Sequence, residues 1–93
     1  MENNFLDAYK KFLEKWGYEA QALMCIEEMS ELTKALCKYQ RYGKENCSEE
    51  IKQNVLEEIA DVLNMAEQMQ LYFGKEKVDE IRKQKIEKTL KRL

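Results

Sequence analysis

LEEIADVLNM, residues 56–65, has the apolar spacing of an amphipathic helix but carries acids inside its apolar stripe. At about 100° per residue, Glu58 and Asp61 fall roughly 60° apart, on the arc that also holds Ile51, Val55, Val62, Met65 and Met69. The stretch IEEMSEL, beginning at Ile26, has the same order as LEEIADV at Leu56: apolar, Glu, Glu, two others, acid, apolar. It sets Glu28 and Glu31 among Met24, Cys25, Leu32, Ala35 and Tyr39. Glu27 and Glu57 sit at the margins of their stripes and read as rim residues. Two consecutive helices therefore each aim a pair of carboxylates toward the side that should form the core.

Outward from these segments, glycines divide the chain. Gly17, Gly43 and Gly74 each follow a helix-periodic stretch, where a residue of positive φ would end it. Four helices are expected: one capped by Asn3 or Asn4 and ending near Trp16, a second from Tyr18 to Tyr42, a third from a Ser48 cap to Phe73, and a fourth from Glu76 to Leu93. Early Glu49 and Glu50 suit the free N–H groups of the third helix. Gly43 to Cys47 is the one stretch with loop character, and no linker rich in Pro, Gly or Ser suggests a second domain. The expected class is all-α, a four-helix bundle-like single domain over residues 1–93.

Composition agrees. With 44% hydrophobic and 37% charged residues, no proline and three glycines, the chain is neither collagen-like nor of disordered type. A chain of 93 residues buries its apolar surface incompletely when alone, so self-association is expected. The net charge of −2 gives no wholesale attraction to nucleic acid. Its distribution is uneven: residues 75–93 hold eight basic and four acidic side chains, against eight and fourteen in residues 1–74. Cys25, Cys37 and Cys47 show no CxxC spacing, and without a histidine they build no zinc site. They read as reduced thiols of a cytoplasmic protein, and no apolar run suggests a signal peptide or a membrane span.

Four carboxylates in an apolar setting repel one another and lose hydration, which drives their pKa values up unless a cation sits among them. Glu28, Glu31, Glu58 and Asp61 are therefore candidate ligands of a hard divalent cation. Mg²⁺, which joins a few carboxylates to substrate phosphates, fits best. A di-iron site would call for Glu-x-x-His motifs, and the chain has no histidine.

At these residues the chain resembles the MazG-like, all-α NTP pyrophosphatase superfamily, whose signature is EExxE followed by ExxD. The matching residues are Glu27-Glu28-Met29-Ser30-Glu31 and Glu58-Ile59-Ala60-Asp61. The run KWGYEAQALMCIEEMSELTKALCKYQRYG and the ending KIEKTLKRL resemble short phage and Gram-positive members. The resemblance implies that Glu28, Glu31, Glu58 and Asp61 hold Mg²⁺, with Mn²⁺ as a substitute. It further implies hydrolysis of a nucleoside triphosphate to monophosphate and pyrophosphate, in a homodimer or homotetramer. Glu31 or Glu28 is the expected general base.

Substrate contacts are sought near those acids. On the fourth helix Val78, Ile81, Ile86, Leu90 and Leu93 define an apolar arc within which Arg82 and Lys85 project; Lys85, aided by Arg82 or Lys88, is the expected triphosphate contact. Lys34, Lys38 and Arg41 read instead as a helix-surface charge lattice. Gln21, Trp16 and Asn64 are the candidates for contact with base or substrate. The rival expectation is a catalytically inactive helical adaptor that binds nucleotide or protein.

Overall fold

A computed structural model describes residues 2–43 and 48–93, with side chains for residues 5–42 and 48–93. The described residues are all helical apart from short connections: α1 (Glu2–Lys38), a π-helical turn (Tyr39–Gly43), α2 (Glu49–Phe73) and α3 (Lys75–Leu90). The expected first and second helices are one element, broken in direction at Gly17 (φ 85°, ψ 159°). That backbone conformation is open essentially to glycine alone, and helix resumes immediately after it. Gly17 is thus a kink between two arms, residues 2–16 and 18–38, and the described residues hold three α-helices where four helices are expected. The helix also starts at Glu2, ahead of the expected Asn3 or Asn4 cap; those side chains and Cys47 lie outside the described residues.

The α2 boundaries follow local chemistry. The Ser48 hydroxyl accepts the Ile51 N–H at 3.2 Å, and Gly74 (φ 130°) closes the other end, its N–H reaching the Gln70 carbonyl at 2.9 Å. α3 begins at once, and its orientation is held through Asp79, which accepts from Gln70 Nε2 at 2.5 Å and from Lys75 Nζ at 2.8 Å. These partners hold the Asp79 carboxyl below its usual range, the Lys75 hydrogen bond most strongly.

The second arm of α1 runs antiparallel to α2. Tyr18 stacks on Tyr72 with ring centroids 4.4 Å apart and meets Phe73 edge-on, and farther along Gln21 Nε2 donates to Gln68 Oε1 at 2.7 Å, both residues buried. The first arm folds back over α2, where the buried Tyr9 hydroxyl donates to Glu67 at 2.6 Å and to Asn64 at 3.3 Å. Desolvation and the Glu67 carboxylate push the Tyr9 pKa up to about 12. The core is thin: Tyr9, Cys25, Ala35 and Met65 are its buried apolar residues.

Shape reflects that thinness. A compact monomer of 11.2 kDa exposes about 5,700 Å², whereas this chain exposes 7811 Å². Its radius of gyration is 16.0 Å, against about 12 Å for a compact chain of this length. No helix among the described residues is long and apolar enough to cross a membrane.

No atom lies within 4 Å of the place a Cβ would take at Gly17, so substitution there strains the backbone without a clash. Gly17→Ala is expected to destabilise the protein by about 1–3 kcal/mol, read as a fall in Tm of about 4 °C or more. An unchanged Tm would show that the arms do not need this kink.

Candidate metal and nucleotide site

The seam between the second arm of α1 and α2 brings three of the four expected acids together. One carboxylate oxygen from each of Glu28, Glu58 and Asp61 lies within 4.8 Å of the other two. Beyond the effect of burial, the neighbouring carboxylates of Asp61 and Glu58 both disfavour charge on Glu28. Glu58 Oε1 is fully shielded from solvent and has no hydrogen-bond partner. Burial is the first cause of a raised pKa at Glu28 and at Glu58; repulsion from Asp61 is the second in each case, with Glu31 contributing to both. Glu28, Glu58 and Asp61 are thus the residues that could hold a hard cation, although acidic groups also gather in this way without one.

Glu31 is placed differently. It is exposed, pairs with Lys34 at 3.3 Å and stands outside the triad, although its charge still acts on Glu28 and Glu58. Successive i, i+3 positions share a face only approximately, and Lys34, three residues on, draws Glu31 toward solvent. Glu27 and Glu57 are exposed, as rim residues should be, and Glu57 accepts from Gln53 at 3.2 Å.

Beside the triad opens a cleft of about 500 Å³, lined by Phe12, Trp16, Met24, Gln21, Asn64 and Gln68 together with Glu28 and Asp61. The kink at Gly17 makes it, because the first arm lays Phe12 and Trp16 across the α1–α2 seam. Those two rings lie 5.7 Å apart, and Trp16 is 56% exposed. All three residues expected to touch base or substrate, Gln21, Trp16 and Asn64, line this cleft. Periodicity misses Gln68, since its partner Gln21 stands 47 positions away; Phe12 is also absent from the expected set, although its spacing of four from Trp16 puts the two on one face.

The cations are not brought there. Arg82 lines a separate cleft with Tyr9, Glu67, Gln70, Lys75 and Asp79, and pairs with Asp79 at 3.6 Å. Lys85 lies in a shallow exposed groove with Ile86, Thr89 and Leu90, and Lys88 is exposed in the last turn of α3. The expected apolar arc of α3 is not buried: every residue from Glu80 to Leu93 is exposed. The helix turns away after Asp79, so the acid cleft is framed by the two arms of α1 and by α2, without α3.

Cys25 is buried and free, its thiol pKa raised by burial, and Cys37 is exposed and free. Compared with models of known protein families, with curated proteins and with solved structures, the chain matches none.

The raised pKa values fix the sign of a pH effect. Folding favours the protonated forms of Glu28 and Glu58, so their contribution is full below the ordinary carboxyl value of 4.5 and is lost as pH rises through the higher folded values. Asp79 acts oppositely, but its contribution fades only below its ordinary 3.8. In chelator, the stability of the parent relative to Glu28→Gln/Glu58→Gln should therefore fall as pH rises above 4.5, measured by urea midpoints. A constant difference would mean that folding does not raise the pKa values of these two carboxyls.

Proposed function

We propose that this chain is a Mg²⁺-dependent nucleoside triphosphate pyrophosphohydrolase that works as a homo-oligomer. The observation carrying the proposal is the juxtaposition at one seam of a cation-ready acid triad and an aromatic, amide-bearing cleft. Resemblance to the MazG-like signature points the same way.

Glu28, Glu58 and Asp61 would hold the ion. When bound, Mg²⁺ neutralises charge on the phosphates and lowers the pKa of a water. The chain's own residues account for the rest. Glu31, outside the triad and paired with Lys34 but close enough for its charge to be felt at Glu28 and Glu58, is the first candidate to accept a proton from the attacking water, and Glu28 is the second. Phe12, Trp16 and Met24 offer flat and flexible apolar surface to a nucleobase and exclude water from it. Gln21, Gln68 and Asn64 offer amide groups to its edge, with Gln21 and Gln68 fixing each other's orientation.

Self-association is supported by area. The chain exposes about 2,100 Å² more than a compact monomer of its mass, and about 800 Å² per partner suffices for a standard interface. At about 100° per residue, Ile26, Met29 and Leu36 share one side of α1, and Leu56, Ile59 and Leu63 share one side of α2; all six are exposed. The same surface favours the rival, a protein-interaction adaptor, but an adaptor has no use for the shielded Glu58 oxygen.

Incubation with a panel of NTPs and dNTPs plus Mg²⁺ should release pyrophosphate. Glu58→Gln should lower kcat/KM by at least about 100-fold, the upper end of what even an outer-shell partner of a metal is worth. The same variant should be at least as stable as the parent in chelator and lose the thermal stabilisation by Mg²⁺, which for the parent reaches about 2.7 kcal/mol at a hundredfold excess over Kd. Stabilisation by Mg²⁺ without turnover favours an inactive adaptor that kept the metal site; the absence of both effects overturns the metal site itself.

A further inference from the structure

We propose that the distal half of α3, residues 81–93, is an arm that packs on a second copy of this chain, against the face that carries the acid cleft. The inference rests on the self-association reading and not on catalysis.

Residues 80–93 are exposed throughout, and among the described residues α3 packs against α2 alone. A helix of 16 residues has little stability of its own in water and normally relies on packing of one face. The face available is mixed. At about 100° per residue, among residues 78–90, Ile81, Lys85, Val78, Thr89, Arg82, Ile86, Asp79 and Leu90 follow one another around half the helix, so cations stand inside the apolar arc. Residues 82–93 carry six basic side chains and one acidic. Lys83, Lys85, Lys88, Lys91 and Arg92 form no ion pair among the described residues.

The cleft face has the complementary composition. Phe12, Trp16 and Met24 are exposed beside Glu28 and Asp61, and the acids continue along it to Glu31 and to the groove of Glu49, Glu50 and Glu57. An apolar surface studded with cations thus exists in the same chain as an apolar surface studded with carboxylates. Within one chain the two do not meet: among the described residues α3 packs against α2 alone, none of its residues lines the cleft, and Asp79 accepts from Gln70 across the turn at Gly74. A second copy can bring them together. The excess exposed surface of about 2,100 Å² over a compact monomer is ample for such an interface, given about 800 Å² per partner in one of standard size. A membrane surface suits the arm less well, since an interfacial helix separates its apolar and cationic faces, and here Arg82 and Lys85 interrupt the apolar one.

Sedimentation of the full-length chain over a concentration series tests the arm. The parent should self-associate, and more weakly as added salt screens the charges. Ile86→Lys/Leu90→Lys alters only exposed positions and should keep its helical circular dichroism. It should weaken association at least about ten-fold for each of the two apolar side chains it replaces. With a photo-crosslinking residue in place of Ile86, and light and heavy isotope-labelled chains mixed, cross-links should join two different copies and fall on residues 12–31 or 49–64. Association unchanged in the double variant, or cross-links confined to one chain or to other surfaces, would overturn the arm and leave self-association standing. A parent monomeric at every concentration would overturn both. Binding to anionic vesicles that the double variant abolishes would assign the arm to membranes and overturn the proposal.

Discussion

Like charge confined at a helix seam is the constraint on which this structure turns. Glu28, Glu58 and Asp61 face one another where antiparallel helices would ordinarily place leucines, and one oxygen of Glu58 is shielded from solvent without a hydrogen-bond partner among the described residues. Such an arrangement opposes folding; protons, cations or both must offset it. The rest of the seam offsets part of the cost by holding tightly on the side of the acids nearer the chain turn at Gly74, with stacked Tyr18 and Tyr72 and the buried pair Gln21–Gln68. Strong local contacts there, with buried Cys25, Ala35 and Met65 flanking the acids, help the acidic stretch stay in register.

The kink at Gly17 turns this electrostatic feature into a site. A straight α1 would carry Phe12 and Trp16 past the end of α2. Because glycine alone adopts the required backbone angles cheaply, the first arm folds back, its Tyr9 hydroxyl bonds to Asn64 and Glu67, and its aromatic rings wall the cleft beside the acids. One residue without a side chain thereby joins two chemistries, carboxylate and aromatic, that lie far apart along the sequence. The aromatic half of the cleft depends on backbone freedom at a position that has no side chain.

Much of this is legible in the sequence, for identifiable reasons. Helix content follows from periodicity, and the Ser48 cap and Gly74 stop act locally, so both stand where the sequence puts them. Glu28, Glu58 and Asp61 are readable because their stripe positions are set by helical geometry alone. Gly17 is readable as a break but not as a kink, since positive φ says that the helix is interrupted and not whether it resumes. Glu31 belongs to the acid set by its spacing, and leaves it because Lys34 competes for it at the surface. Lys85, Arg82 and Lys88 are expected near the acids only if a bundle closes around them. The contact that spans the turn at Gly74 is instead the one from Gln70 to Asp79, which has no signature in the periodicity, while Lys75 and Arg82 pair with Asp79 within α3 itself.

The misplaced cations and the thin core are consequences of one fact. A chain of this length can close a core around α1 and α2 or around α2 and α3, but its buried apolar residues are too few for both. Folding spends them on the α1–α2 seam, where aromatic stacking and a buried amide pair add to apolar burial. α3 is left with an apolar arc too narrow and too charged to displace either partner. The outcome is a body with excess negative charge and an arm with excess positive charge, each exposing apolar surface, joined by a turn that keeps them apart. Attraction that cannot be satisfied within a chain is available between chains, and its strength then depends on concentration and ionic strength in a way that an intramolecular contact would not. The physical logic that places acids in the seam thus extends to the surface: charges that lack a partner within the fold define what the fold is built to meet.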